Sequence, residues 1–161
     1  MWAVIDEFPE YSVSDRGEVR RDDTGNFMSI GLNQYGVAQV SLMKGGTQYR
    51  RGVAKLVSSY FLEPHELSTF GTPINLNGDR SDNHVDNLMW RPRWFAVKYH
   101  RQFDEPPGGF REPIVDIATG EEFETSWEAA IKYGLLDREI LIATLNRTYV
   151  WPTYQEFRTI E

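Results

Sequence analysis

Apolar positions in this chain recur at short, changing intervals. Over residues 2–20 they fall in brief runs, Trp2-Ala3-Val4-Ile5, Tyr11-Ser12-Val13 and Glu18-Val19-Arg20, separated by Pro9 and by Asp15-Arg16-Gly17. Short runs bounded by turn residues predict strands of a small antiparallel unit. Val37 to Leu42 and Thr47 to Arg51 flank Lys44-Gly45-Gly46, where glycines supply the positive φ of a tight hairpin. The period then changes: Val53, Leu56, Val57, Tyr60 and Phe61 share one helical face, predicting a helix that ends near Pro64. From Pro73 to Trp90 short apolar pieces return around the turn Asn77-Gly78-Asp79, and a second helix is expected from about Pro92 through Tyr99.

Pro106-Pro107-Gly108-Gly109 can neither continue a helix nor pair well in a sheet, so it reads as a linker. Beyond it, Ile114 to Ile117 and Glu122 to Glu124 surround Thr119-Gly120 as a further hairpin. Thr125-Ser126-Trp127-Glu128 fits a capping box, and Gly134 stands where that helix would stop. A last helix, capped by Asp137 and turning Ile140, Leu141 and Leu145 inward, completes a helix-turn-helix-like pair that ends near Asn146. The expected class is α+β, divided into residues 1–34, 35–104, a linker at 105–112, and 113–161.

Composition narrows the chemistry. With 161 residues, 40% hydrophobic and 14% aromatic, the chain is long enough to bury one modest core or a few small ones. It has no cysteine, which excludes disulfides and thiolate zinc sites and leaves only oxygen and imidazole as metal ligands. The N-terminus lacks a basic segment followed by an apolar stretch, and apolar runs never approach the ~18 residues of a membrane span, so neither secretion nor insertion is expected. The net charge of −7 argues against indiscriminate coating of DNA. Its distribution changes that picture. Residues 1–40 carry three basic and seven acidic groups, residues 41–103 nine and five, and residues 104–161 five and twelve, so the middle is locally basic between acidic flanks.

Three stretches together resemble the modular HNH homing endonucleases of phages and mobile introns. Trp2, Ile5, Phe8, Tyr11-Ser12-Val13-Ser14, Gly17 and Val19-Arg20 are similar to the motif that often precedes the nuclease module. Tyr35 to Phe61, then Asn77-Gly78-Asp79, Asn83 and Val85-Asp86-Asn87-Leu88-Met89-Trp90, resemble the module itself, and Ile114 to Asn146 resemble the hairpin and helix-turn-helix that follow it. The resemblance implies a small antiparallel sheet, a ββα-metal module and a DNA-contacting tail. In that family a hairpin and a helix grip one divalent metal, Mg2+ if this chain is active. A histidine on the first strand deprotonates the attacking water.

Aligned on Gly78 and Trp90, the chain places Ile74 at a ligand position and Asn75 at the catalytic histidine. An isoleucine has no donor atom, and an amide takes no proton at useful pH. A register shifted by one residue puts Asn75 at the ligand and Leu76 at the base, and the family's upstream histidine falls at Ala54. Asn87 keeps the type expected of a metal-ligand asparagine. His84, in the polar loop, and His100, near the end of the following helix, are the candidate replacement bases, although a histidine in such a loop, like His65 beside Pro64, more commonly reads as ordinary surface. Asp79, Asp82, Asn83 and Asp86 are oxygen-rich but lack calcium-loop spacing and read as a solvated turn.

Candidate DNA contacts are Arg50, Arg51, Lys55, Arg91, Arg93, Lys98 and Arg101, the later ones interleaved with Trp94, Phe95 and Tyr99, with Arg138 and Arg147 in the tail. The leading expectation is a binder of double-stranded DNA with an inactive or impaired nuclease centre. The alternatives are a repurposed protein-interaction or virion component with a phage or host protein as partner, and an active nuclease using His84. The resemblance implies a bacterial host cytoplasm during infection, or a virion, as the setting.

Overall fold

The computed structural model describes residues 1–106 and 108–160; Pro107, within the predicted linker, lies outside them. Two compact units are present, Met1–Arg93 and Trp94–Glu161. Elements follow the predicted order of strands and helices, as an α+β chain of small antiparallel sheets. The units differ from the predicted division. Residues on both sides of position 34 share one hydrophobic cluster, and the unit boundary falls upstream of 105–112.

In the first unit, β1 (Trp2–Ile5), β2 (Phe8–Ser14) and β3 (Val19–Arg21) form a meander. Pro9, predicted to punctuate a turn, lies inside β2. It is tolerated because β3 pairs only with Tyr11 to Val13, beyond its missing N–H. A second sheet orders β4 (Ile30–Leu32), β5 (Ala38–Lys44) and β6 (Thr47–Gly52). Lys44 pairs with Thr47, so Gly45 and Gly46 alone make the turn, both at positive φ, as the sequence predicts.

Helix α1 (Val53–Phe61) buries Val53, Leu56 and Val57, each worth roughly 1.5–3 kcal/mol of transfer free energy. It packs against β2, β5 and β6 and against the hairpin of β7 (Thr72–Asn75) and β8 (Leu88–Arg91). The helix stops at Phe61, before Pro64, because the residue following it is already extended. Polar ties join the two sheets, and α1 to the turn after β1. The Tyr11 hydroxyl accepts the Met43 N–H at 3.2 Å and the Tyr60 hydroxyl accepts the Asp6 N–H at 2.7 Å.

The meander turn also meets the loop between β7 and β8. The Val85 N–H donates to the Asp15 carbonyl at 2.8 Å. Gly17, at φ +85, lies so close to Asn83 that a Cβ would stand 3.1 Å from its carbonyl oxygen.

The second unit opens on α2 (Arg93–Arg101), whose first residue closes the first unit. Strand β9 (Ile114–Asp116) pairs with β10 (Glu122–Phe123) on one side and, beyond prediction, with β11 (Phe157–Thr159) on the other. Helices α3 (Ser126–Tyr133) and α4 (Asp137–Leu145) are joined through Gly134 in the left-handed region. The Thr125 hydroxyl accepts the Glu128 N–H, as a capping box requires, but the Glu128 carboxylate accepts from Glu124 rather than Thr125.

Asp137 is not the cap of α4 but its first residue, following Leu136. Its buried carboxylate accepts the Ser126 hydroxyl and the Gly109 N–H, tying the helix pair to the segment before β9. Ile140 is buried as predicted; Leu145 is exposed, since the burial stripe runs through Ala143 and Thr144 instead. No helix among the described residues is long and apolar enough to cross a membrane.

The Gly17→Ala variant is expected to lose about 1–2 kcal/mol from backbone strain alone, with a further loss from the Asn83 contact. Urea unfolding, compared with a Gly25→Ala control whose Cβ would meet open space, measures it.

Candidate functional site

Strand β7 carries Ile74 and Asn75, and β8 begins immediately after Asn87. The antiparallel register pairs Ile74 with Met89 and Asn75 with Leu88. The loop thus returns Asn87 to the end of β7, where the Leu76 N–H donates to the Asn87 carbonyl at 2.8 Å. Helix α2 follows in the chain, completing the order strand, strand, helix.

Ile74 is completely buried. Asn75 is buried too, and its amide group donates to the Asp82 carbonyl at 2.8 Å and to the Asn83 side-chain oxygen at 2.9 Å. Asn87 donates to the same Asp82 carbonyl at 2.8 Å and to the Asn77 side-chain oxygen at 2.9 Å, while its own Oδ1 accepts the Asn77 N–H at 3.1 Å. Asn77 closes the ring by donating to the Asp82 carboxylate at 2.9 Å. Four asparagines and Asp82 therefore satisfy one another, from buried Asn75 and Asn83 out to exposed Asn77, and an unpaired amide at the buried end would be costly.

This donor set does not fit a divalent metal. Mg2+ demands several hard oxygens in octahedral array. Here Asn87 Oδ1 is a neutral oxygen already accepting an N–H, and Ile74 contributes nothing. Among the described residues no three histidine, aspartate or glutamate side chains converge on a metal-sized space. Within the oxygen-rich loop Asp79 and Asp82 accept bonds from the loop itself, while the Asp86 carboxylate is exposed. Ser81 donates its hydroxyl at 2.6 Å and its N–H at 3.0 Å to Asp79, and these bonds, the hydroxyl first, hold the Asp79 carboxyl below its usual range.

His84 caps the short 3-10 turn Val85–Asn87. Its Nδ1 accepts the Asp86 N–H at 3.1 Å, and the Asp86 carboxylate is farther, at 3.6 Å. Through the nearer contact the ring caps the turn. His65 stacks on Phe70, with ring centroids 3.9 Å apart, and caps Leu67.

The cationic candidates divide sharply by environment. Arg51 is bound to Glu7 by an ion pair and lies over the rings of Phe8 and Tyr49; hydrogen bonding to the guanidinium holds the Glu7 carboxyl low. Arg91 is buried, donating to the Trp90 carbonyl at 2.8 Å, so it presents almost no surface for a ligand. Arg50 is exposed on β6.

Lys55, Arg93 and Asn75 line a cavity of about 390 Å³ in the first unit, and Arg80 joins them. Arg80 was not anticipated. The only signal available in the sequence was a single base within an otherwise acidic and amidic loop. In the second unit, Lys98, Arg101 and Arg138 line a separate cavity of about 450 Å³, but Glu105, Asp137 and Glu139 share it. Exposed Arg147 follows α4 at φ +53.

Replacing Asn75 with alanine should strip partners from the Asp82 carbonyl and the Asn83 amide oxygen. A loss of about 1–3 kcal/mol is expected, read as a lower urea midpoint, and excess Mg2+ should not restore it.

The NUMOD4 motif, found in homing endonucleases, matches residues 1–43, which span the meander and run through most of β5. No curated protein matches the chain. Among solved structures, the HNH homing endonuclease I-HmuI, described as binding and cleaving DNA, superposes with a TM-score of 0.55 and 21% identity, over 99% of this chain and 98% of that one. With a NUMOD4 motif at its start and this superposition along its length, the chain has the fold of an HNH homing endonuclease.

Proposed function

We propose that this chain binds double-stranded DNA and that its HNH centre is catalytically inactive or severely impaired. The observation that supports the second half is the position that the sequence resemblance aligns with a metal ligand and a base. It holds Ile74, without a donor atom, and Asn75, whose amide group is committed to Asp82 and Asn83. An amide neither accepts a proton near neutrality nor supplies the charge that a leaving oxygen needs.

DNA binding is supported by the likeness in fold to a protein described as binding and cleaving DNA, and by the excess of basic groups in residues 41–103. Arg50, Lys55 and Arg93 are the exposed cations of the first unit that the reading employs; Lys98, Arg101, Arg138 and Arg147 are those of the second. Arg51 is held in reserve by Glu7 and Arg91 is buried, so neither is assigned a phosphate.

Anisotropy of a labelled random duplex provides the test. If about three phosphates are neutralised, affinity should fall roughly 40-fold between about 50 and 200 mM salt; salt-insensitive binding, or none, refutes the reading. Plasmid nicking in added Mg2+ should be absent, and nicking by the unaltered chain would overturn the inactive centre. Glu7→Gln, by releasing Arg51, should tighten duplex binding several-fold, whereas Arg50→Gln should weaken it.

A further inference from the structure

The cavity beside Asn75 has an unusual lining for a chain of net charge −7. Lys55, Arg80 and Arg93 line it together with Asn75, Gly71 and Thr72, and among the described residues no carboxylate contributes. Its volume of about 390 Å³ falls within the range of about 300–1,000 Å³ usual for ligand sites.

Lys55 is the best anchored of the three cations. Its ammonium donates to the Gly71 carbonyl at 2.6 Å and lies 4.9 Å from the centre of the Trp90 ring, which leaves further N–H bonds to give. Arg80 is half-buried, and burial pushes its guanidinium pKa down, yet no carboxylate partners it among the described residues. Arg93, exposed, is likewise without an acidic partner there. Five other bases, Arg20, Arg21, Arg51, Lys132 and Arg158, have acidic partners. A guanidinium removed from water without a counter-ion is an unfavourable arrangement that an anion would relieve.

We propose that this cavity seats one phosphate group of a DNA backbone without any metal, the three side-chain cations supplying the positive charge that a divalent ion would bring to an HNH centre. The inference deepens the DNA-binding reading and rests on it for the source of the phosphate. Arg80 supplies a planar fork suited to two phosphate oxygens, Lys55 a point charge, and Arg93 a second guanidinium at the start of α2. Asn75, in the place of a proton acceptor, lines the cavity without attacking chemistry, so a seated phosphodiester would be held and not cleaved. The amide ring, buried at Asn75 and Asn83, ties β7 to the loop bearing Arg80.

The test follows the Nε–H resonance of Arg80 in the full chain, in EDTA, during titration with inorganic phosphate and separately with a short duplex. Both ligands should shift it, the duplex at much lower concentration. Arg80→Gln and Arg93→Gln should each weaken duplex binding and reduce the slope of log affinity against log salt by about 1. Duplex binding that is unchanged by both substitutions and leaves the Arg80 resonance still would overturn the inference while leaving DNA binding intact. A shift with inorganic phosphate but no duplex binding would keep the phosphate cavity and refute DNA as its source. Silence toward both ligands would refute cavity and DNA reading together, and restoration of tight duplex binding only by Mg2+ would refute the metal-free charge complement.

Discussion

The docking of one polar loop onto one β-turn underlies everything else in the first unit. The loop between β7 and β8 has few apolar groups with which to define its shape. It is held instead by the Val85 N–H on the Asp15 carbonyl, by the close approach of Gly17 to Asn83, and by Val85 and Leu88 in the shared core. Once that loop is fixed, Asn77, Asp82, Asn83 and Asn87 fall within reach of Asn75, and their amides can be satisfied internally. The NUMOD4 stretch therefore acts as a buttress for the nuclease-like hairpin, and the two share a single interior.

That interior explains how a centre unsuited to a metal remains well formed. Carboxylates and imidazoles crowded without an ion repel or must protonate, and a ligand set left half complete would destabilise its hairpin. Asparagines carry donors and acceptors in equal measure, and four of them close a ring in which Asp82 is the one charged member. The positive charge of the region is then free to sit on Lys55, Arg80 and Arg93, outside the amide ring and around the cavity. The second unit handles charge in the opposite way, placing Glu105 and Glu139 among Lys98, Arg101 and Arg138.

Local chemistry made much of this architecture legible. The Gly45-Gly46 turn, the apolar face of α1, the Thr125 cap and the Gly134 stop are decided by residues within one turn of each other, and all four are found. Strand β4 was missed because Ile30, Gly31 and Leu32 are all exposed and show no alternation. Strand β11 was missed because it joins β9 from about forty residues away, a pairing no local pattern encodes. Spacing to Gly78 and Trp90 singled out Ile74 and Asn75, and the structure buries both on β7. Arg80 could not be singled out in this way, since its importance lies in desolvation and in neighbours drawn from α1 and from the start of α2. Arg91 and Arg51 looked equivalent to Arg50 and Arg93 on paper; burial and the Glu7 ion pair separate them.

The Asn77-Gly78 step has a chemical consequence of its own. An asparagine followed by glycine is the dipeptide most prone to lose ammonia, because the glycine nitrogen can close on the side-chain carbon as a succinimide. In the folded loop that nitrogen donates to the Asn75 carbonyl at 2.9 Å, and both ends of the Asn77 amide are engaged by neighbours. Ageing at this step is therefore confined to moments when the loop comes away from its ring. Slow accumulation of aspartate and isoaspartate at position 77 would act as a clock, recording how often the centre opens over the life of the molecule.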